Sequence, residues 1–165
     1  MPIIRKQAMP KRFPYNTALA DMTAEQWDSL CDGCGLCCLH KLEDEDDGEI
    51  FYTDVACQLL DTSRGKHSCR CTDYPNRTRR VADCLVLTPA TLADSLPWLP
   101  ATCAYKRLAL GQRLPRWHPL LTGNPASVHQ AGISARGRCV PESRVDPDTL
   151  AERIVTWVDG FRAPD

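Results

Sequence analysis

Ten cysteines occur in 165 residues, and four of them stand together as Cys31-x-x-Cys34-x-x-Cys37-Cys38. Two thiolates separated by two residues can curl round one ion, with Zn–S distances of about 2.3 Å, because the intervening turn aims both sulfurs inward. Gly33 and Gly35 flank Cys34 and suit such a turn, since glycine accepts positive φ and lets backbone N–H groups approach the sulfurs. If the chain turns helical after Gly35, then Cys34, Cys37 and Cys38 fall at i, i+3 and i+4 and face one centre. Adjacent Cys37 and Cys38 diverge, which frees one of them to bridge ions or to serve a second metal, and they pair poorly as a disulfide.

Cys57, Cys69, Cys71 and Cys84 follow in one stretch, and Cys103 comes later. One tetrahedral ion takes four thiolates. Nine therefore imply about two or three zinc ions sharing ligands, or an iron–sulfur cluster plus a further site. The expected cofactor is zinc or iron, more than one ion, bound through thiolates that suit both metals. Between Arg64 and Arg80 the cations Arg64, Lys66, Arg70, Arg77, Arg79 and Arg80 face only Asp73, and they interleave with Cys69 and Cys71. Their simplest use is to lower thiol pKa values and to offset the charge of a thiolate cluster. Tyr74 is the single aromatic in that stretch, so nucleic acid is not an expected partner.

His40 lies three residues after Cys37, within ligand spacing, although the surrounding thiols leave little need for it. His118, between Trp117 and Pro119, is either a proton donor in a pocket or a packing element, while His67 and His129 read as surface residues. The sequence holds no Gly-x-Ser-x-Gly elbow, phosphate loop, His-Glu-x-x-His or dinucleotide fingerprint. Asp73-Tyr74-Pro75 reads as a turn.

Several elements are expected to position these thiols. Thr23-Ala-Glu-Gln26 is a capping box opening a short helix, with Trp27 and Leu30 on its inner face, that delivers the chain to Cys31. Six acids within Glu43–Glu49 read as a solvated loop without the ligand alternation of a calcium site. Ile50–Val55 reads as a strand, and Arg79–Cys84 as another. Thr88-Pro89 predicts a helix ending before Pro97; Ala101–Leu110 predicts a second, stopped by Gly111. Leu114–Pro125 reads as a structured loop. Asp146-Pro147 predicts a C-terminal helix with Leu150, Ile154, Val155, Trp157 and Val158 as its apolar stripe.

A chain of this length suits one domain, here 23–165 behind an N-terminal extension at 1–22, and it buries roughly two-thirds of its unfolded surface. Net charge is -1, which excludes a global electrostatic argument for nucleic acid or an anionic membrane. Met1–Asp21 carries Lys and Arg but no apolar core of a signal, and no apolar run is long enough to cross a bilayer. A cytoplasmic location is expected, with no membrane partner. In that compartment thiols stay reduced, which favours metal over a disulfide scaffold.

With Cys31-Asp-Gly-Cys34-Gly-Leu-Cys37-Cys38, Cys57-Gln-Leu-Leu-Asp, Cys69-Arg-Cys71-Thr-Asp-Tyr-Pro and Asp83-Cys84 in that order, the sequence resembles the CxxCxxCC zinc- or iron-chelating domain family. Trp98-Leu-Pro-Ala-Thr-Cys103-Ala-Tyr and Trp117-His-Pro-Leu-Leu-Thr-Gly123 look like its YcgN-like branch of bacterial proteins, so the resemblance covers roughly residues 13 to 160. It implies metal ligation by Cys31, Cys34, Cys37, Cys38, Cys57, Cys71 and Cys84, with Cys69 and Cys103 matching the branch alone. Cys139, in Gly137-Arg-Cys-Val, matches neither pattern and is expected to be a buried or free thiol. The family includes a flagellin lysine methylase associated with an iron–sulfur cluster, which favours iron without transferring the reaction.

The expected architecture is α+β, a helix-dominated small metal-stabilised domain with short helices and loops wrapped around a cysteine cluster. Three roles remain open: a metal-binding protein, an iron–sulfur enzyme for redox or group (methyl) transfer, and a metal storage or delivery protein.

Overall fold

The structure is a computed structural model that describes residues 17–158. Most of the expected extension and the end of the chain lie outside those residues. Helix α1 (Ala24–Asp28) opens on the expected capping box: Gln26 N–H donates to Thr23 Oγ1 at 3.2 Å and Thr23 N–H to Gln26 Oε1 at 3.0 Å. It presents Trp27, whose ring lies 4.9 Å from that of Tyr105 and whose Nε1 donates to the Leu87 carbonyl at 3.0 Å. Tyr105 O–H returns a bond to the Trp27 carbonyl at 2.8 Å. Two side chains thereby fasten a five-residue helix too short to persist alone.

The chain then runs through Cys31–Gly35 into a single 3-10 turn, Leu36–Cys38, and directly into strand β1 (Leu39–Glu43). β1 pairs antiparallel with β2 (Ile50–Ala56), with an irregularity between Leu39 and Lys41. The strand expected at Ile50–Val55 is present, whereas β1 carried too little β-branched character to be read. The acidic run is the connection between them: Asp44 Oδ1 accepts from Asp46 N–H and Asp47 Oδ1 from Glu49 N–H, so the carboxylates satisfy their own turn. β3 (Val140–Pro141) joins β2 in parallel, giving the order β1-β2-β3.

Elsewhere the chain forms short helices: α2 (Arg77–Arg80), α3 (Leu92–Ser95), α4 (Ala104–Ala109), α5 (Pro119–Thr122) and α6 (Ser127–Gln130). The strand expected at Arg79–Cys84 is replaced by α2, where Arg77 stacks over the Tyr74 ring at 3.8 Å and donates to the Tyr74 carbonyl. α3 begins at Leu92 behind Thr91 rather than at the expected Thr88-Pro89, with Thr88 Oγ1 accepting the Thr91 N–H, and it ends at Ser95, before Pro97 as expected; the chain then tightens into a 3-10 turn, Leu96–Trp98, that seats the proline where no N–H is needed. α4 closes as expected, with Gly111 at φ +72°.

The C-terminal prediction is corrected. Asp146 does cap, accepting from Asp148 N–H at 3.0 Å, but Pro147–Arg153 is a 3-10 helix, and Ile154 leaves it to bridge Thr53 on β2. Val155 N–H donates to the Tyr52 carbonyl at 2.8 Å, so sheet pairing captures the donor that an α-helix would have used. Arg153 grips Asp54 with two bonds of 2.8 Å. Val158 is buried as expected, while Ile154 is exposed.

Two apolar clusters result. One joins Leu36, Leu39, Tyr52, Ala56, Leu60, Val128, Ile133, Ala135 and Val158; the other joins Trp27, Leu30, Leu92, Leu99, Ala104, Tyr105 and Leu114. Cys34 belongs to the first and Cys37 packs on the second, so the four-cysteine segment runs along the seam. The fold class is α+β, as expected.

Candidate metal centre

The seam opens into a cleft of about 430 Å³. Cys31, Cys34, Cys37, Cys38, Cys57, Cys71, Cys84 and Cys103 all line it, and so do Trp27, Leu30, Leu59, Leu99 and Tyr105. Each thiol arrives by its own route. Cys57 follows β2, with its N–H donating to the Cys38 carbonyl at 2.9 Å. Cys71 bridges to Leu60 across a small antiparallel link that Thr72 N–H extends by donating to the Leu59 carbonyl at 2.7 Å. Cys84 comes after α2, and Cys103 occupies the N-cap position of α4.

Backbone donors meet some of these sulfurs. Leu36 N–H approaches Cys34 Sγ at 3.5 Å and Leu59 N–H approaches Cys57 Sγ at 3.5 Å. Such bonds lower the basicity of a bound thiolate and fix its direction. Gly33 and Gly35 hold φ at +78° and +72°. A Cβ on Gly33 would come within 2.9 Å of the Arg70 guanidinium carbon, and one on Gly35 within 3.0 Å of Cys69 Cβ. Both positions therefore require glycine for conformation and for space.

The thiols are held in an apolar setting. Burial pushes Cys103 up to about 12, and Cys31, although exposed as a residue, is pushed up to about 11 by desolvation of its sulfur in the cleft, with Cys37 and Asp32 adding to the rise. Cys34 is driven well above the ordinary thiol value by the same cause. Cys37 alone is lowered, by a hydrogen bond from the Cys38 thiol and by the Lys41 ammonium, against its own burial, and Cys38 rises in consequence. Among the described residues no three Cys, His, Asp or Glu side chains stand close enough to enclose an ion as they are. The sulfurs sit on the walls around a space much larger than one ion.

Cys69 is placed differently. It is 5% exposed within the first cluster, does not line the cleft, and has φ +63°, the single non-glycine residue among those described with positive φ. Ser68 Oγ lies 3.8 Å from its sulfur, and Ser134, which pairs with His129 Nδ1 at 2.7 Å, also bonds to it. Cys139 packs against the same cluster, half-buried, consistent with the expected thiol outside the site.

His40 and His118 are also absent from the cleft. His40 pairs with Glu142 at 2.5 Å. His118 is fully buried: its Nε2–H donates to the Leu30 carbonyl at 2.9 Å, while Nδ1 accepts from Leu120 N–H at 3.1 Å and caps α5. It is a staple that holds the backbone just before Cys31. Two residues beside the thiols, Asp32 and Lys41, escaped the sequence reading. Asp32, 5% exposed, accepts the Cys34 N–H at 3.0 Å, and its signal was the Asp-Gly pair inside the motif. Arg70, one of the cations expected beside the thiols, lines the cleft and lies over Gly33. Lys41 donates from Nζ to the Cys37 carbonyl at 2.7 Å, and no spacing rule marked it.

Residues 30–104 match the family model CxxCxxCC, described as "Putative zinc- or iron-chelating domain". The chain is 56% identical over 140 residues to a UPF0260 protein of Gluconacetobacter diazotrophicus, covering 85% of this chain and 83% of that one. It is 52% identical over 146 residues to one of Granulibacter bethesdensis, covering 88% and 84%, and 54% identical over 134 residues to one of Azotobacter vinelandii, covering 81% and 87%. No solved structure matches the chain. No helix among the described residues is long and apolar enough to cross a membrane. With identity of this order over most of both chains, the protein belongs to the UPF0260 family and carries the CxxCxxCC domain.

Proposed function

We propose that the protein holds zinc or iron in a centre of more than one metal atom, bound by the eight cysteines that line the cleft. The observation that carries this reading is convergence: thiols at 31, 34, 37, 38, 57, 71, 84 and 103, brought from five separate segments, face one space of about 430 Å³. Eight thiolates exceed what one tetrahedral ion can use, so they suit either bridged zinc ions or an iron–sulfur cluster beside a second ion. The N–H donors at Cys34 and Cys57 fit thiolate ligation. In the ligand shell as proposed, Cys69 has no part.

A second reading, an iron–sulfur enzyme for redox or group transfer, is favoured by one observation: the apolar cleft has more room than a metal centre fills, enough for a small reactant against Trp27, Tyr105 and Leu99. Storage or delivery is disfavoured, since exchange needs accessible thiolates and only Cys31 of the eight is exposed. Anaerobic purification with elemental analysis and visible absorption tests the reading. Two or more equivalents of zinc, or iron with acid-labile sulfide, are expected. Metal-free protein from metal-replete cells would overturn it.

A further inference from the structure

Arg70, over Gly33, and Arg77 line the cleft, whereas Lys41 lies behind the four-cysteine segment and is bonded to its backbone. It extends from β1, half-buried, and its Nζ donates to the Cys37 carbonyl at 2.7 Å and to the Leu39 carbonyl at 2.9 Å. Its third side faces the Tyr52 ring, 5.0 Å from the centroid. No carboxylate among the described residues lies within ion-pair distance of it; the three ion pairs there are His40–Glu142, Arg80–Asp73 and Arg153–Asp54. A lysine removed from water without an acid is costly, and neutral carbonyls and a ring face offset that only in part.

The groups that can take a negative charge around it are thiols. The backbone it holds, from Cys37 to Leu39, carries Cys37 and Cys38, and both of these thiols line the cleft. Resting on the metal centre proposed above, the geometry points to Lys41 as the fixed countercharge of that centre, a positioning residue that balances the excess thiolate charge and holds the Cys37–Leu39 backbone without binding metal. A shell of more thiolates than metal charge needs a cation nearby that does not compete as a ligand. An ammonium tied to two carbonyls meets that need, since it is held in place and kept off the ions.

The role predicts opposite effects with and without metal. In Lys41→Met the metal-free protein should melt no lower than the parent, because an uncompensated cation has been removed from the interior. The metal-loaded protein should bind about 10- to 100-fold more weakly in chelator competition, the range for outer partners of metal ligands. If the metal is an iron–sulfur cluster, its reduction potential should move negative. Lys41→Arg should restore binding. Equal loss of stability in both forms would make Lys41 a simple backbone clamp and overturn the inference, as would unchanged affinity and potential. Should the methionine variant not fold, Lys41→Gln, which keeps an uncharged donor, is read by the same criteria, and its full affinity would overturn the countercharge. Parent protein that holds no metal would instead refute the centre itself.

Discussion

At the scale of single residues, the difference between Cys69 and its neighbour Cys71 decides the composition of the shell. The two are separated by one residue, yet only Cys71 reaches the cleft, because φ +63° at Cys69 swings its side chain into the first apolar cluster beneath Gly35. A left-handed backbone at a cysteine leaves no trace in spacing, so the sequence placed both thiols in one group. Cys69→Ser is expected to retain its full metal content, whereas Cys57→Ser or Cys71→Ser should lose at least one equivalent; elemental analysis of the three variants separates them. Gly33→Ala and Gly35→Ala should each destabilise by about 1–3 kcal/mol from positive φ alone. Gly35→Ala should be the worse, since its new methyl meets the Cys69 Cβ rather than the end of a movable arginine. Urea midpoints that rank them the other way would contradict the packing described here.

Among elements, those defined by local chemistry could be read and those defined by distant pairing could not. The Thr23 capping box and strand Ile50–Ala56 follow from residue types in one window. The 3-10 form of Pro147–Arg153 depends on β2, which takes the Val155 N–H, and α2 depends on Tyr74 as a platform for Arg77. The small helix α5 owes its start to His118, and this has a consequence for pH. Burial lowers the His118 pKa below its ordinary 6.5, and a proton on Nδ1 would confront the Leu120 N–H. Below about pH 6.5 the unfolded chain takes up a proton that the folded one refuses, so stability should fall with pH by up to about 1.4 kcal/mol per unit until the folded value is reached. His118→Gln, which can supply both a donor and an acceptor, should flatten that contribution. Urea unfolding at pH 7 and pH 5.5 measures it, and an identical slope in both proteins would rule it out.

For the whole molecule, the two apolar clusters meet along the segment that carries the thiols, and each is small. Ions bound across the seam would join Cys34 of one cluster to Cys37 and Cys103 of the other, so stripping metal with a chelator should lower the melting temperature by many degrees and separate the transition into broader steps. An unchanged, single transition would count against metal as part of the fold. The staple between His118 and the Leu30 carbonyl spans 88 residues of sequence. At synthesis rates of about 5–20 residues per second, roughly 4–18 s separate the two ends during translation. For that interval Cys31 to Cys38 lack their backbone anchor, and until Cys103 is made, 15 residues before His118, they lack that thiol as well, so the metal or oxidant that arrives first meets open thiols. Faithful loading in the growing chain thus depends on how promptly the metal is supplied as well as on the affinity of the finished centre.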